Sequence, residues 1–213
     1  MPRVESFEKN VDKYEAWFDR NRAAYASELE AVRALLPKSG KGLEVGVGTG
    51  RFAAPLGIRV GVDPAKAMGK LAMERGIEVR VGVGENLPCK DSSFDFVLLV
   101  TTICFLDDVP AAFGEAYRVL KCGGSILVGF IDRESSLGKV YEQRKQDNEF
   151  YRDATFFSVS EVVRHLEQAG FRGFVFRQTI FQNPTEMKQA DPVRSGYGEG
   201  SFVVVRAKKT LKL

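Results

Sequence analysis

Histidine is almost missing from this chain of 213 residues, with His165 standing alone. That leaves little room for an imidazole metal site or a Ser-His-Asp triad. Cysteine is scarce too: Cys89, Cys104 and Cys122 are odd in number and widely spaced. They make neither a disulfide framework nor a zinc pattern, so the expectation is a reduced, cytoplasmic compartment and no bound metal. No run of about 18 apolar residues occurs, so no membrane span is expected. Met1 to Glu8 lack the apolar core of a secretion signal. Charge of one sign is also missing, since 31 Lys and Arg against 28 Asp and Glu leave only +3. That excess is too mild to argue for nucleic acid or an anionic membrane as partner. Repeats and low-complexity tracts are absent as well.

What is present is ordinary in amount and organised in place. Hydrophobic residues make up 44% of the chain and charged residues 28%, which suits one domain with a substantial core. The organising stretch is Gly42-Leu43-Glu44-Val45-Gly46-Val47-Gly48-Thr49-Gly50-Arg51-Phe52. An apolar run carrying one acid ends in three alternating glycines. The pattern predicts a buried strand over 42–47, a tight turn, and a brief helix from Thr49 that ends near Pro55-Leu56-Gly57. Glycines there let the backbone approach a ligand in conformations a Cβ would forbid. A dinucleotide fingerprint wants its third glycine one residue later, where Arg51 stands, and no Lys-Ser/Thr follows to make a phosphate loop.

A second apolar strand, 58–62, runs into Asp63, 13 residues after Gly50. An acid at the carboxyl end of the second strand of a βαβ unit can accept both ribose hydroxyls. Such charge-assisted bonds contribute about 1.5–3 kcal/mol each. Asp63 also reads as the N-cap of the helix that follows, through about Arg75.

Around this centre, residues 5–36 read as one or two amphipathic helices, with a break near Asp19-Arg20-Asn21. Strands are expected at 77–81, 94–100 and 125–130, and a helix at 109–120. Strand 94–100 ends in Thr101, where substrate and cofactor meet in an open α/β sheet. Residues 132–157 form a polar helical insertion that turns aromatic at Phe150, Tyr151, Phe156 and Phe157. Such segments commonly shape substrate pockets, or they simply cover the core. A helix over 160–169 carries His165 as a structural residue. The last quarter reads as two strands, 174–181 and 200–207, forming an antiparallel edge on a parallel sheet.

Three stretches together carry a family resemblance. Glu44-Val45-Gly46-Val47-Gly48-Thr49-Gly50 resembles the E-x-G-x-G-x-G of class I methyltransferases that use S-adenosylmethionine (SAM). Gly82-Val83-Gly84-Glu85-Asn86-Leu87-Pro88 through Phe94-Asp95-Phe96-Val97 resembles the G-D-A-E-x-L-P…F-D-x-V loop of the ubiquinone/menaquinone-type branch. Glu115 to Gly124 resembles E-x-x-R-V-L-K-P-G-G, with Cys122 in place of proline. Tyr14-Glu15-Ala16-Trp17-Phe18 looks like the helix that caps the SAM pocket in relatives. Asp63 to Met68 resembles D-x-S-x-x-M, with Ala65 in place of serine.

The resemblance implies a Rossmann-like, doubly wound, mostly parallel seven-stranded sheet with an antiparallel C-terminal hairpin strand. It implies a single domain over 1–213: a helical cap (1–39), a SAM-binding core (40–131), a possible substrate-side insertion (132–157), and a C-terminal helix and hairpin (158–213). Its cofactor is SAM, with S-adenosylhomocysteine (SAH) as product, and its partner a small-molecule methyl acceptor. The implied cofactor residues are Tyr14, Glu44, Gly46, Gly48, Gly50, Asp63, Met68, Gly84, Glu85 and Thr101. Glu44 would anchor the methionine amino end and Asp63 the ribose. Relatives carry an acid at the place of Val83, where it bonds the adenine amino group, so adenine must be held differently here. Relatives also often have a histidine near Cys104 or Phe105, and none stands here, so no catalytic residue is assigned. A SAM-binding scaffold without activity and a nicotinamide oxidoreductase remain as alternatives.

Overall fold

Alternation along the strands builds the core. In β4 (Phe94–Val100), Val97 and Leu99 belong to one apolar layer, while Phe96, Leu98 and Val100 belong to the other. β5 (Leu120–Ile131) repeats this, with Ile126 and Val128 on one side and Leu127 on the other. β8 (Phe202–Lys209) does the same with Val203 and Val205 against Val204. Successive side chains point to opposite faces, so strands apolar on both faces are covered on both. The computed structural model describes residues 4–210.

The remaining strands are β1 (Gly42–Val45), β2 (Val60–Asp63), β3 (Glu78–Val81), β6 (Phe171–Thr179) and β7 (Arg194–Ser195). The sheet order is β3-β2-β1-β4-β5-β8-β6-β7. The first five neighbours are parallel, and β8, β6 and β7 join by antiparallel pairs. One layer contains α5 (Val109–Val119) and α7 (Val159–Gln168). The other contains α2 (Val11–Arg20) and α3 (Arg22–Arg33). α4 (Lys66–Glu74) makes the crossover from β2 to β3, and α6 (Ser136–Arg144) lies in the insertion. Among the described residues no helix is long and apolar enough to cross a membrane.

Three details differ from the sequence expectation. Among the described residues the sheet has eight strands rather than seven, because two polar residues of the last loop pair with Arg177 and Gln178 of β6. A pair so short carries no alternation to read. The N-terminal run divides twice, adding α1 (Glu5–Lys9). The breaks fall at Asn10 and Asn21, whose side-chain amides donate back to the carbonyls of Ser6 (3.0 Å) and Trp17 (2.9 Å). Such local bonds compete with helix continuation. The brief helix expected from Thr49 is instead a run of turns over residues 51–57. Pro55 has no amide hydrogen to donate, and Ile58 N–H closes back on Ala53 O at 2.9 Å.

Candidate active site

The sheet order reverses between β1 and β4, which opens a crevice beyond their carboxyl ends. The glycine turn sits at this point. Gly46 (φ +70°) and Gly48 (φ +51°) both hold left-handed backbone. A Cβ on Gly46 would collide with Thr102, and one on Gly48 would lie 3.3 Å from the Tyr14 hydroxyl. The Thr102 hydroxyl in turn lies 3.2 Å from the Val45 carbonyl, tying the end of β4 to β1. The same strand end holds Thr101 at φ +48°, a costly conformation for a β-branched residue and a recurrent feature of functional sites.

Asp63 closes β2 and faces this turn. Its Oδ2 accepts the Gly48 N–H at 2.7 Å and its Oδ1 accepts the Ala65 N–H at 2.8 Å. Asp63 is not the N-cap of α4, a place that Ala65 takes. Its carboxylate holds the entry to that helix through the Ala65 amide, and of its roughly four acceptor sites two stay open for a ribose. Burial pushes its pKa up to about 6, against the opposing pull of the two amides.

One cavity of about 710 Å³ runs from the glycine turn outward. Of the residues expected at a cofactor, Tyr14, Gly46, Gly48, Asp63, Met68, Gly84, Glu85 and Thr101 lie on its wall, as does Val83. Glu44 and Gly50 do not. A Cβ on Gly50 would meet the Ile77 side chain at 2.5 Å, so this third glycine serves packing. Glu44 is 2% exposed. It accepts the Ala53 amide, and burial drives its pKa far up. Its Oε2 is buried with no partner among the described residues. Glu85 uses its carboxylate to accept the Asp107 and Asp108 amides at 2.8 and 3.2 Å, fastening its loop to the start of α5.

The N-terminal helices cover the cavity. Glu8 of α1 accepts the Lys66 and Ala67 amides at 2.6 and 3.0 Å, capping α4, whose own N-cap Ala65 has no side-chain acceptor. Glu15 of α2 accepts from Thr49 Oγ1 at 2.5 Å and from Nη2 of both Arg51 and Arg75 at 2.6 Å. Burial works to raise the Glu15 pKa, but bonds from Arg75, Arg51 and Thr49 overcome it and hold it at about 2. Phe7 then meets Phe105 edge-on at 5.0 Å and Phe150 at 5.3 Å. Tyr151 stacks on Phe105 at 5.8 Å, and Tyr141 on Tyr151 at 5.2 Å. The insertion's Phe150 and Tyr151 thus join the cap and the β4 end around one aromatic lobe.

Sequence reasoning missed Phe7, Glu8 and Glu28 here. Glu28 lies on the cavity wall and is 6% exposed. Its signal was available: it is an acid within the buried face of α3, between Ala24 and Ala31.

A nucleoside with a charged amino-acid tail fits these residues. Open acceptor sites on Asp63 suit a diol. The orphaned Glu44 oxygen behind the turn suits an ammonium or a bridging water. Gly48 has no side chain to obstruct either. With a reversed strand between the fifth strand and the next, the sheet is that of the class I methyltransferases, and the crevice lies where that class holds its nucleoside.

Comparison with known proteins agrees. The "Methyltransferase domain" family matches residues 43–128. A SAM-dependent methyltransferase of Thermotoga maritima, described as a possible histamine N-methyltransferase, superposes with a TM-score of 0.95. It shares 52% identity over 97% of this chain and 99% of its own. An uncharacterized protein of Methanocaldococcus jannaschii is 48% identical over 95% of this chain and 98% of its own length. A demethylmenaquinone methyltransferase of Roseiflexus castenholzii is 37% identical, over only 42% of each chain. The chain belongs to the SAM-dependent methyltransferases. Membership removes the nicotinamide alternative, and likeness to the menaquinone branch is confined to part of the chain.

Proposed function

We propose that this enzyme transfers the SAM methyl group to a small molecule held in the aromatic lobe, acting in the cytoplasm as a single catalytic domain. The observation that carries this reading is the continuity of the cavity. Asp63 and Gly48 stand in the same space as Phe7, Phe105 and Phe150. Its volume lies within the range of small-molecule sites. The Thermotoga relative, a possible histamine N-methyltransferase, agrees with a small acceptor.

Within this reading, Asp63 holds the ribose hydroxyls and Glu44 the methionine amino end, directly or through water. Gly46 and Gly48 give backbone room, with Gly50 supporting them from behind. Met68 lies against the adenosine. The Gly84–Glu85 backbone and the Val83 side chain take the adenine that relatives hold with an acid. Tyr14 and Thr101 border the methionine end. SAM supplies a methyl group already activated on a sulfonium. The chain aligns a nucleophile with it and keeps water out, and orientation alone can contribute about 7–11 kcal/mol. Replacing Asp63 with Ala is expected to weaken SAM binding tenfold or more, about 1.4 kcal/mol per decade. Calorimetry that returned an unchanged affinity would remove Asp63 from the site.

A further inference from the structure

We infer that Glu28 is the acceptor-binding residue of this enzyme, and that the acceptor is an amine carried on an apolar or aromatic body. The inference rests on the methyl-transfer reading above and adds a substrate class to it. Glu28 projects from α3 into the cavity, yet it is 6% exposed. No hydrogen bond or ion pair reaches its carboxylate among the described residues. A buried carboxylate without a partner is costly, and proteins seldom retain one without a counterion or a ligand. Burial alone pushes its pKa up to about 8.

The surroundings fit a cation with an apolar body. Tyr14, Tyr141 and Tyr151 line the same cavity as Glu28. Tyr151 lies 5.2 Å from Tyr141 and 5.8 Å from Phe105, ring centre to ring centre. These rings lie on the cavity wall and can enclose an apolar body by their area. Other charged groups on the wall are differently placed. Lys13 pairs with Glu149 at 3.0 Å, while Arg20, Asp147 and Arg152 are exposed. Glu28 is therefore, among the described residues, an unpaired carboxyl deep in the lobe: burial alone favours its neutral form, an ammonium beside it would favour the carboxylate, and the rim is mixed. A carboxylate acceptor would meet repulsion from the ionised form, and a neutral alcohol would gain no charge pairing from it.

An ammonium must lose a proton before its nitrogen can attack a methyl group. Glu28 is placed to take it: the N–H bond breaks, its electron pair stays on nitrogen, and the proton ends on a carboxylate oxygen.

Calorimetry on the full chain saturated with SAH tests this. The probes are 2-phenylethylamine against 2-phenylethanol, hexylamine against hexanol, and 3-phenylpropionate. The expectation is that at least one amine binds tenfold or more tighter than its alcohol, and that the acid binds more weakly than either. Glu28→Gln, which keeps the shape, should erase that tenfold preference, change SAH affinity less than twofold and leave Tm the same or higher. Equal binding of amine and alcohol by the wild-type chain would overturn the inference, whatever the variant does. So would a preference that survives in Glu28→Gln, or failure of both amines to bind. If SAH itself did not bind, the methyl-transfer reading would fall first. SAH binding without an amine preference would remove the amine inference alone.

Discussion

Asp63 bonds two backbone amides and, in the proposed reading, the cofactor ribose as well, and protonation affects the two unequally. With a folded pKa near 6 against an ordinary value of 3.8, the folded state binds the proton more tightly than the unfolded chain. Its contribution to stability is therefore fully present below about pH 4 and is lost as pH rises through 6. Cofactor binding has the opposite sign, because ribose hydroxyls donate to the ionised form. SAM affinity is expected to fall severalfold between pH 7 and pH 5, and Asp63→Asn should flatten that step. Titrations at three pH values read the slope. At this scale the sequence was uneven. Asp63 was legible because its position after β2 has few meanings. Glu44 and Gly50 were legible as motif members but not as placed, since a motif does not say which side of the turn a residue faces. Glu28 was missed because its neighbours in the apolar stripe invite a packing reading, although a charge within such a stripe is the anomaly to notice.

Among elements, the cap depends on ionic and capping bonds more than on apolar burial. α1 has no buried residue, and α2 buries only Phe18. Glu15 joins α2 to the glycine turn and to Arg75 just past α4. Its pKa of about 2 lies below the ordinary 4.5, so its stabilisation is present above pH 4.5 and disappears as pH falls toward 2. Glu15→Gln is expected to raise amide exchange in α2 about fivefold or more at pH 7, with the gap to wild type narrowing in acid. Equal exchange at pH 7 would show the cap held by something else. The helical character of residues 5–36 was legible from periodicity, and of the one-helix and two-helix readings, both open in the sequence, the structure takes the second, with the division at Asn21. The division at Asn10 and the absent helix after Thr49 were not legible. One depends on a single side-chain bond from Asn10 to the Ser6 carbonyl, the other on the turn that closes from Ile58 N–H to Ala53 O past Pro55.

Across the whole molecule, the two apolar layers meet at the central strands. Leu98 of β4 is fully buried between β1 and β5. Leu98→Ala should cost about 2–5 kcal/mol, measured by chemical denaturation, with SAH affinity per folded molecule nearly unchanged. A loss below 1 kcal/mol would mean that the layer collapses to fill the gap. The parallel half of the sheet and its antiparallel edge were readable before any coordinates, because apolar runs, turn residues and spacing agree. The short β7 was not, because its pairing depends on the last loop, which Gln178 holds through its bonds to the Glu199 and Gly200 amides at 2.9 and 2.7 Å.

β8 lies between β5 and β6 although it follows both in sequence. Until residue 209 has left the ribosome, β5 and β6 have no partner between them, and the nascent sheet remains open along two edges. Exposed edges of this kind invite pairing with other chains. The sheet therefore cannot close before β8 has been made, and a chain truncated ahead of it would be an aggregation-prone remnant rather than a smaller working catalyst.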